Sequence, residues 1–258
     1  MQTQRVVSIA EDQVSESGDV GGGIAAIANV SIAQRALERA MKRESHLPGL
    51  VAYYGPSGFG KTFAATYAAN RHRAYHVAVK STWTAKALLL NVLREMGIRP
   101  ARTIYDMADQ AAEQLSLSAR PLIIDEFDFL VTKSAVEVVR DLHESSGGAA
   151  ILLIGEEQLE KNLRRWERFH NRVLEWVAAS PASLADCRQL AALYSPDVDI
   201  SDELLERVLR VSRGITRRVC VNLSAIHKAG LDAGLERMTL ADWGQRPLDS
   251  GEAPRRVL

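Results

Sequence analysis

Short apolar runs rich in β-branched residues alternate along the chain with segments whose apolar positions recur every three or four residues. This alternation persists to about residue 180. The runs are LVAYYG at 50–55, YHVAV at 75–79, PLIID at 121–125, AAILLIG at 149–155 and RVLEWV at 172–177. Helical spacing occupies 29–43, 62–70, 84–96, 104–115, 133–143 and 156–170. Strands separated by helices predict an α/β fold, a parallel five-stranded sheet with helices on both faces. Beyond Ser180 and Pro181 the strand signal stops, and 183–194, 201–213 and 215–231 read as three helices of a small all-helical lid. The expected organisation is an arm at 1–23 ending in SGDVGGG, an α/β domain at 24–180, a helical lid at 181–246 and a tail at 247–258. No internal repeat of 20 to 50 residues is present in the sequence.

Composition narrows the class without naming it. With 258 residues, 47% of them hydrophobic and 25% charged, the chain has the makings of a globular core without staples. Its 32 basic and 32 acidic side chains cancel, which argues against a globally basic nucleic-acid binder and restricts any such contact to a local patch. Cys187 and Cys220 lack metal-ligand spacing and are expected to be reduced, buried thiols. No apolar run reaches the roughly 18 to 20 residues of a bilayer span, and the N-terminus lacks the order of a signal peptide. A cytoplasmic protein without membrane contact is the expectation.

The first strand runs into Gly55, Pro56, Ser57, Gly58, Phe59, Gly60, Lys61 and Thr62, a complete G-x-x-x-x-G-K-[ST] phosphate loop between a strand and a helix. Glycines let main-chain N–H groups turn inward onto phosphate oxygens, and the helix N-terminus adds partial positive charge. Lys61 is expected to neutralise the β and γ phosphates of ATP, and Thr62 to bind Mg²⁺. The run PLIID then delivers Asp125 and Glu126 at a strand tip, where open α/β sheets hold ligands. Asp125 is expected to hold the magnesium through water and Glu126 to polarise the attacking water.

Together with a further strand, an arginine-rich segment and a cap bearing Gly214-Ile215-Thr216-Arg217, these motifs resemble an AAA+ ATPase over roughly residues 30–235. The wording IGEEQL after the fourth strand and VKSTWTAKALLLNVLREMGI after the second is similar to the phage Mu transposition protein B group. Its relatives include transposon target-DNA regulators and ExeA-type secretion ATPases. The resemblance implies a ring or helical filament in which a neighbour supplies an arginine to each ATP. Arg172 falls where that finger precedes the last strand, with Arg168 as second choice; such fingers are worth about 10³ to 10⁵ in rate. A solvated basic helix end or a DNA-facing patch is the alternative. Arg217, ahead of Arg218, matches the second sensor, which reaches the γ phosphate from within the same subunit. The first sensor departs from the family's Asn, Thr or Ser: the fourth strand ends in Gly155, Glu156, Glu157 and Gln158. Hydrolysis is then expected to be slow, or Glu156 or Gln158 to orient water.

Lys80, Ser81, Thr82, Trp83, Thr84 and Lys86 surround a helix start and suit phosphate oxygens of double-stranded DNA. In the resembled proteins the corresponding segment lines the filament interior. Lys133 and Ser134 form a second candidate pair. Ser and Thr before a helix are also ordinary N-caps, and Trp83 could be core. The leading expectation is an ATP-dependent, sequence-nonspecific DNA-binding regulator of transposition that recruits a transposase and is released by hydrolysis. An ExeA-type ATPase and a nucleotide-gated interaction module with weak hydrolysis are the alternatives.

Overall fold

The computed structural model describes residues 27–132 and 135–252. The arm at 1–23, Lys133 and Ser134 therefore lie outside the described residues. Helix α1 (Ala28–Lys42) leads to β1 (Leu50–Tyr54), the glycine loop, α2 (Lys61–His72) and β2 (Tyr75–Ala78). Next come α3 (Ala85–Glu95), α4 (Ile104–Ser118), β3 (Leu122–Asp125), α5 (Asp128–Val131) and α6 (Val136–Ser145). The α/β part closes with β4 (Ile151–Gly155), α7 (Leu159–Leu163), α8 (Glu167–His170) and β5 (Val173–Ala178).

The five strands are parallel in the order β2-β3-β4-β1-β5. β1, β3 and β4 are inner strands, and their residues are buried throughout except Tyr54. That is why they read as continuous apolar runs rather than alternating ones. Successive side chains still point to opposite faces. Val51, Tyr53, Ile123, Leu152 and Ile154 meet α1 and α2, whereas Leu50, Ala52, Ile124, Ile151 and Leu153 meet α3, α4 and α6. Alanines at 33, 36 and 40 in α1 and at 64, 65, 68 and 69 in α2 let both helices pack closely on the sheet. β5 is an edge strand, half-buried along most of its length.

The helix expected at 156–170 is broken into α7 and α8. Trp166 leaves helical geometry at φ −102° and ψ 64°. Its indole N–H and the Arg165 guanidinium both donate to the Val131 carbonyl, at 3.0 and 2.6 Å, satisfying the end of α5. A tertiary demand here overrides helical periodicity.

The C-terminal part contains α9 (Leu184–Tyr194), α10 (Asp202–Ser212) and α11 (Thr216–Ala233). It is not purely helical, however. β6 (Asp199–Ile200) and β7 (Arg237–Met238) pair in parallel, and α12 (Leu240–Trp243) follows. Strands of two residues are too short to carry a periodic signal. A capping box of Ser183 and Asp186 starts α9, and Thr239 with Asp242 does the same for α12. Residues beyond α12 return along α11: the Asn222 side chain donates to the Asp249 carbonyl at 3.0 Å and accepts its N–H at 2.7 Å. Among the described residues, no helix is long and apolar enough to cross a membrane.

Candidate nucleotide site

The glycine loop leaves the C-terminal tip of β1, with the Gly55 N–H on the Gly155 carbonyl at 3.3 Å. Gly58 and Gly60 have φ of +83° and +79°, left-handed conformations that penalise a Cβ. A Cβ at Gly58 would also sit 2.8 Å from Ile215 Cγ2. Gly60 precedes α2 with no side-chain cap, so the first N–H groups of that helix are left for an external acceptor. Lys61 Nζ donates to the carbonyls of Gly55 and Pro56 at 2.7 and 2.9 Å. Burial lowers its pKa, while the carboxylates of Glu126, Glu156, Asp125 and Asp128 act in the opposite direction.

The tips of β3 and β4 and the first residue of α5 supply those carboxylates. Asp125 is 2% exposed; its Oδ1 accepts the Glu126 N–H at 2.8 Å and its Oδ2 is buried without a partner. Such an orphaned acceptor suits a water held on a divalent cation. Among the described residues no group of three or more His, Cys, Asp or Glu could hold a metal alone. Thr62, Asp125 and phosphate oxygens together fit magnesium, which binds through few protein ligands and keeps its waters. Glu126 has φ +57°, a conformation that costs a non-glycine residue about 1–3 kcal/mol and clusters at functional sites. Its pKa is raised, chiefly by burial and then by Asp125 and Glu156. Asp128 Oδ2 accepts the Glu156 N–H at 2.7 Å, joining the two tips.

Gly58, Gly60, Lys61, Asp125, Glu126 and Glu156 line one cavity of about 800 Å³, together with Ser57, Thr62 and Arg217. Its far wall comes from α9 and α11: Leu190, Leu193, Tyr194, Cys220 and Val221. A glycine cradle at one end and an apolar wall at the other fit a nucleoside phosphate. Both cysteines are free. Cys187 is buried, its thiol pushed up to about 11 by burial, but Cys220 is only half-buried and faces the cavity, unlike the core thiol the sequence led one to expect.

Arg217 lines the cavity, and its main-chain N–H donates to the Gly58 carbonyl at 3.0 Å. Arg218 instead lies against Gly251, where an added Cβ would stand 2.3 Å from its Nε. Arg172 is outside its own chain's cavity: it precedes β5 at the foot of the sheet, where Val173 pairs with Leu50, and Nε contacts Glu144 Oε1 at 3.0 Å. Arg168 is exposed on α8. Gln158 is exposed at the start of α7 and does not line the cavity, whereas Glu156 does.

Lys80, Ser81, Thr82 and Lys86 are exposed beside the C-terminal end of β2. Thr84 caps α3 by accepting the Ala87 N–H at 3.3 Å, and Trp83 is half-buried against the core. Two residues of the site's framework escaped the sequence reading. Asn29 looks like an ordinary helix start, and the only cue to Asp128 is its place three residues after Asp125 in DEFD.

A parallel sheet in this order, with the glycine loop after β1 and the acidic pair after β3, is the P-loop AAA+ fold. A family model described as an AAA domain matches residues 43–163. No curated protein matches the chain. Among solved structures the fold is similar to the Aeropyrum pernix ORC2 protein in its ADP form, at 15% identity and a TM-score of 0.59 over 81% of this chain and 64% of that one. The Aeropyrum pernix ORC1 protein in complex with DNA is 17% identical, with a TM-score of 0.58 over 82% of this chain and 61% of that one. Drosophila ORC bound to DNA is 13% identical, with a TM-score of 0.53 over 90% of this chain and 68% of that one. At these identities the likeness is one of fold. The chain spans less than two thirds of the length of the two Aeropyrum proteins.

Proposed function

We propose that the protein is an ATP-dependent, largely sequence-nonspecific DNA-binding regulator of transposition, assembled on duplex DNA with ATP and released by hydrolysis. The observation that carries the nucleotide half is the convergence of the glycine loop, Lys61, Asp125 and Glu126 on one cavity with an apolar far wall. In this reading Lys61 neutralises the phosphates, Thr62 and Asp125 hold magnesium, and Glu126 orients and deprotonates the attacking water. Bound magnesium would offset the charge of the phosphate oxygens. Raised carboxyl pKa at Glu126 is the direction a general base needs.

Arg217 acts within its own subunit as a cap residue facing the cavity. Arg172, remote from its own site, acts on a neighbour's nucleotide and makes hydrolysis a property of an assembly. Support for the DNA half comes from the exposed cluster of Lys80, Thr82 and Lys86 and from two proteins of similar fold whose structures were solved with DNA. The transposase and the filament rest on the resemblance of IGEEQL and VKSTWTAKALLLNVLREMGI alone.

The test is duplex binding with ATP, with ADP and without nucleotide over a salt series. Tighter binding with ATP and a steep loss of affinity with salt are expected. Equal affinity in all three states, or none at low salt, would sink the proposal.

A further inference from the structure

Asn29 is 3% exposed, yet every polar atom of its side chain is used. Nδ2 donates to the Phe59 carbonyl in the phosphate loop and to the Ser180 carbonyl, each at 2.8 Å. Oδ1 accepts the Ser180 N–H at 2.9 Å and its hydroxyl at 3.4 Å. Ser180 lies between β5 and α9, on the segment that leads from the sheet to the C-terminal helices. The same segment continues through Pro181, which would meet a Cβ on Gly214 at 2.6 Å, and Ala182, whose N–H donates to the Gly214 carbonyl at 2.9 Å. Three residues later stands Arg217.

A trans peptide is planar, with its carbonyl and N–H on opposite sides. Anchoring the Phe59 carbonyl on Asn29 therefore turns the Gly60 N–H the other way, towards the cavity that Gly60 lines. The preceding peptide is held alike: the Gly58 carbonyl is anchored on the Arg217 N–H, which turns the Phe59 N–H away from that tether. Two consecutive peptide planes are thus fixed from outside, one by α1 and the other by α11.

We propose that Asn29 is a positioning residue of the nucleotide site: it aims the Gly60 N–H at the phosphate position and ties that peptide to the segment carrying the lid. This rests on reading the cavity as a nucleotide site. Because one side chain holds both the loop and Ser180, displacement of the lid segment is transmitted to the phosphate-binding geometry.

The experiment titrates a fluorescent ATP analogue against wild type, Asn29→Ala and Asn29→Asp, with far-UV circular dichroism on each variant. Asn29→Ala is expected to bind about tenfold more weakly. Asn29→Asp cannot donate when ionised but regains an O–H donor when protonated; at a site 3% exposed and facing the Phe59 and Ser180 carbonyls the carboxyl is pushed well above its ordinary range, so its affinity relative to wild type should recover from about pH 8 to about pH 5. This pH response is readable even if Asn29→Ala does not fold. Arg217→Ala should cost less in the Asn29→Ala background than alone. A flat pH ratio for Asn29→Asp, additive effects with Arg217→Ala, or an Asn29→Ala variant within about twofold of wild type would overturn the inference while the nucleotide reading stands. A wild type that binds no nucleotide would overturn both.

Discussion

The Asp128 carboxylate accepts the Glu156 main-chain N–H at 2.7 Å, and so holds the tips of β3 and β4 together at the mouth of the cavity. Gly155 is the residue that permits this approach, because a Cβ there would lie 2.4 Å from Asp128 Oδ2 and 2.8 Å from Leu159 Cδ2. Gly155→Ala is expected to destabilise by about 1–3 kcal/mol through overpacking and to slow hydrolysis by moving Glu156. Urea melts and steady-state ATPase assays read the two effects. Asp128→Asn keeps an acceptor oxygen and should stay near wild-type stability, and a large loss there would mean that charge, not the hydrogen bond, matters.

Lys61→Ala removes the cation that faces the four carboxylates, and Glu126→Gln leaves that cation in place. Nucleotide binding should be lost in the first variant. It should persist in the second, with hydrolysis down by about 10²-fold or more and DNA complexes that outlive those of wild type. A Glu126→Gln protein that dissociates from DNA at the wild-type rate would remove Glu126 from its proposed role.

Arg172 and Glu144 are both roughly half exposed, so their ion pair contributes little to stability, about 0–1 kcal/mol. Arg172→Ala should therefore melt like wild type while assembled ATPase activity falls by about 10³-fold or more. Mixing Arg172→Ala with Lys61→Ala subunits should restore part of the activity, since each contributes the half the other lacks. No recovery on mixing, with both variants folded, would argue against action across a subunit boundary.

His143 is buried, with Nε2 accepting the Gly49 N–H at 3.3 Å and Nδ1 against the Ala149 carbonyl at 2.9 Å. Both contacts suit the neutral ring, and burial lowers its pKa, with Arg43 and Arg172 adding to the effect and the Ala149 carbonyl and Glu144 opposing it. The unfolded state then binds a proton first as pH falls below about 6.5. Stability is fully present above that value and is lost from there down to the lowered folded pKa. Denaturant melts should show this loss, and it should be smaller in His143→Gln. An unchanged pH slope in that variant would assign the effect to His72 and His76, which burial also lowers.

Replacing Lys80 and Lys86 by Ala should flatten the salt dependence of duplex binding by about one unit of slope for each phosphate no longer neutralised. Nucleotide affinity should be unchanged, because neither lines the cavity. A wild-type salt slope in the double variant would move the DNA surface elsewhere.

The hydrophobic pattern by itself determined the five strands, their parallel arrangement and most helix positions, because buried parallel strands and amphipathic helices write their periods directly into the chain. It also determined the loop from Gly55 to Thr62 and the pair Asp125 and Glu126, whose chemistry depends on local order along one strand and one turn. Periodicity failed where a distant group decided the outcome: Trp166 breaks a helix to reach Val131, and β6 with β7 forms a ladder too short to carry a pattern. Only the tertiary structure joined Asp128 to Glu156 across 28 residues and Asn29 to Ser180 across 151. A hydrogen bond between residues so far apart leaves no spacing to read, since what fixes it is the approach of two elements packed on the same sheet.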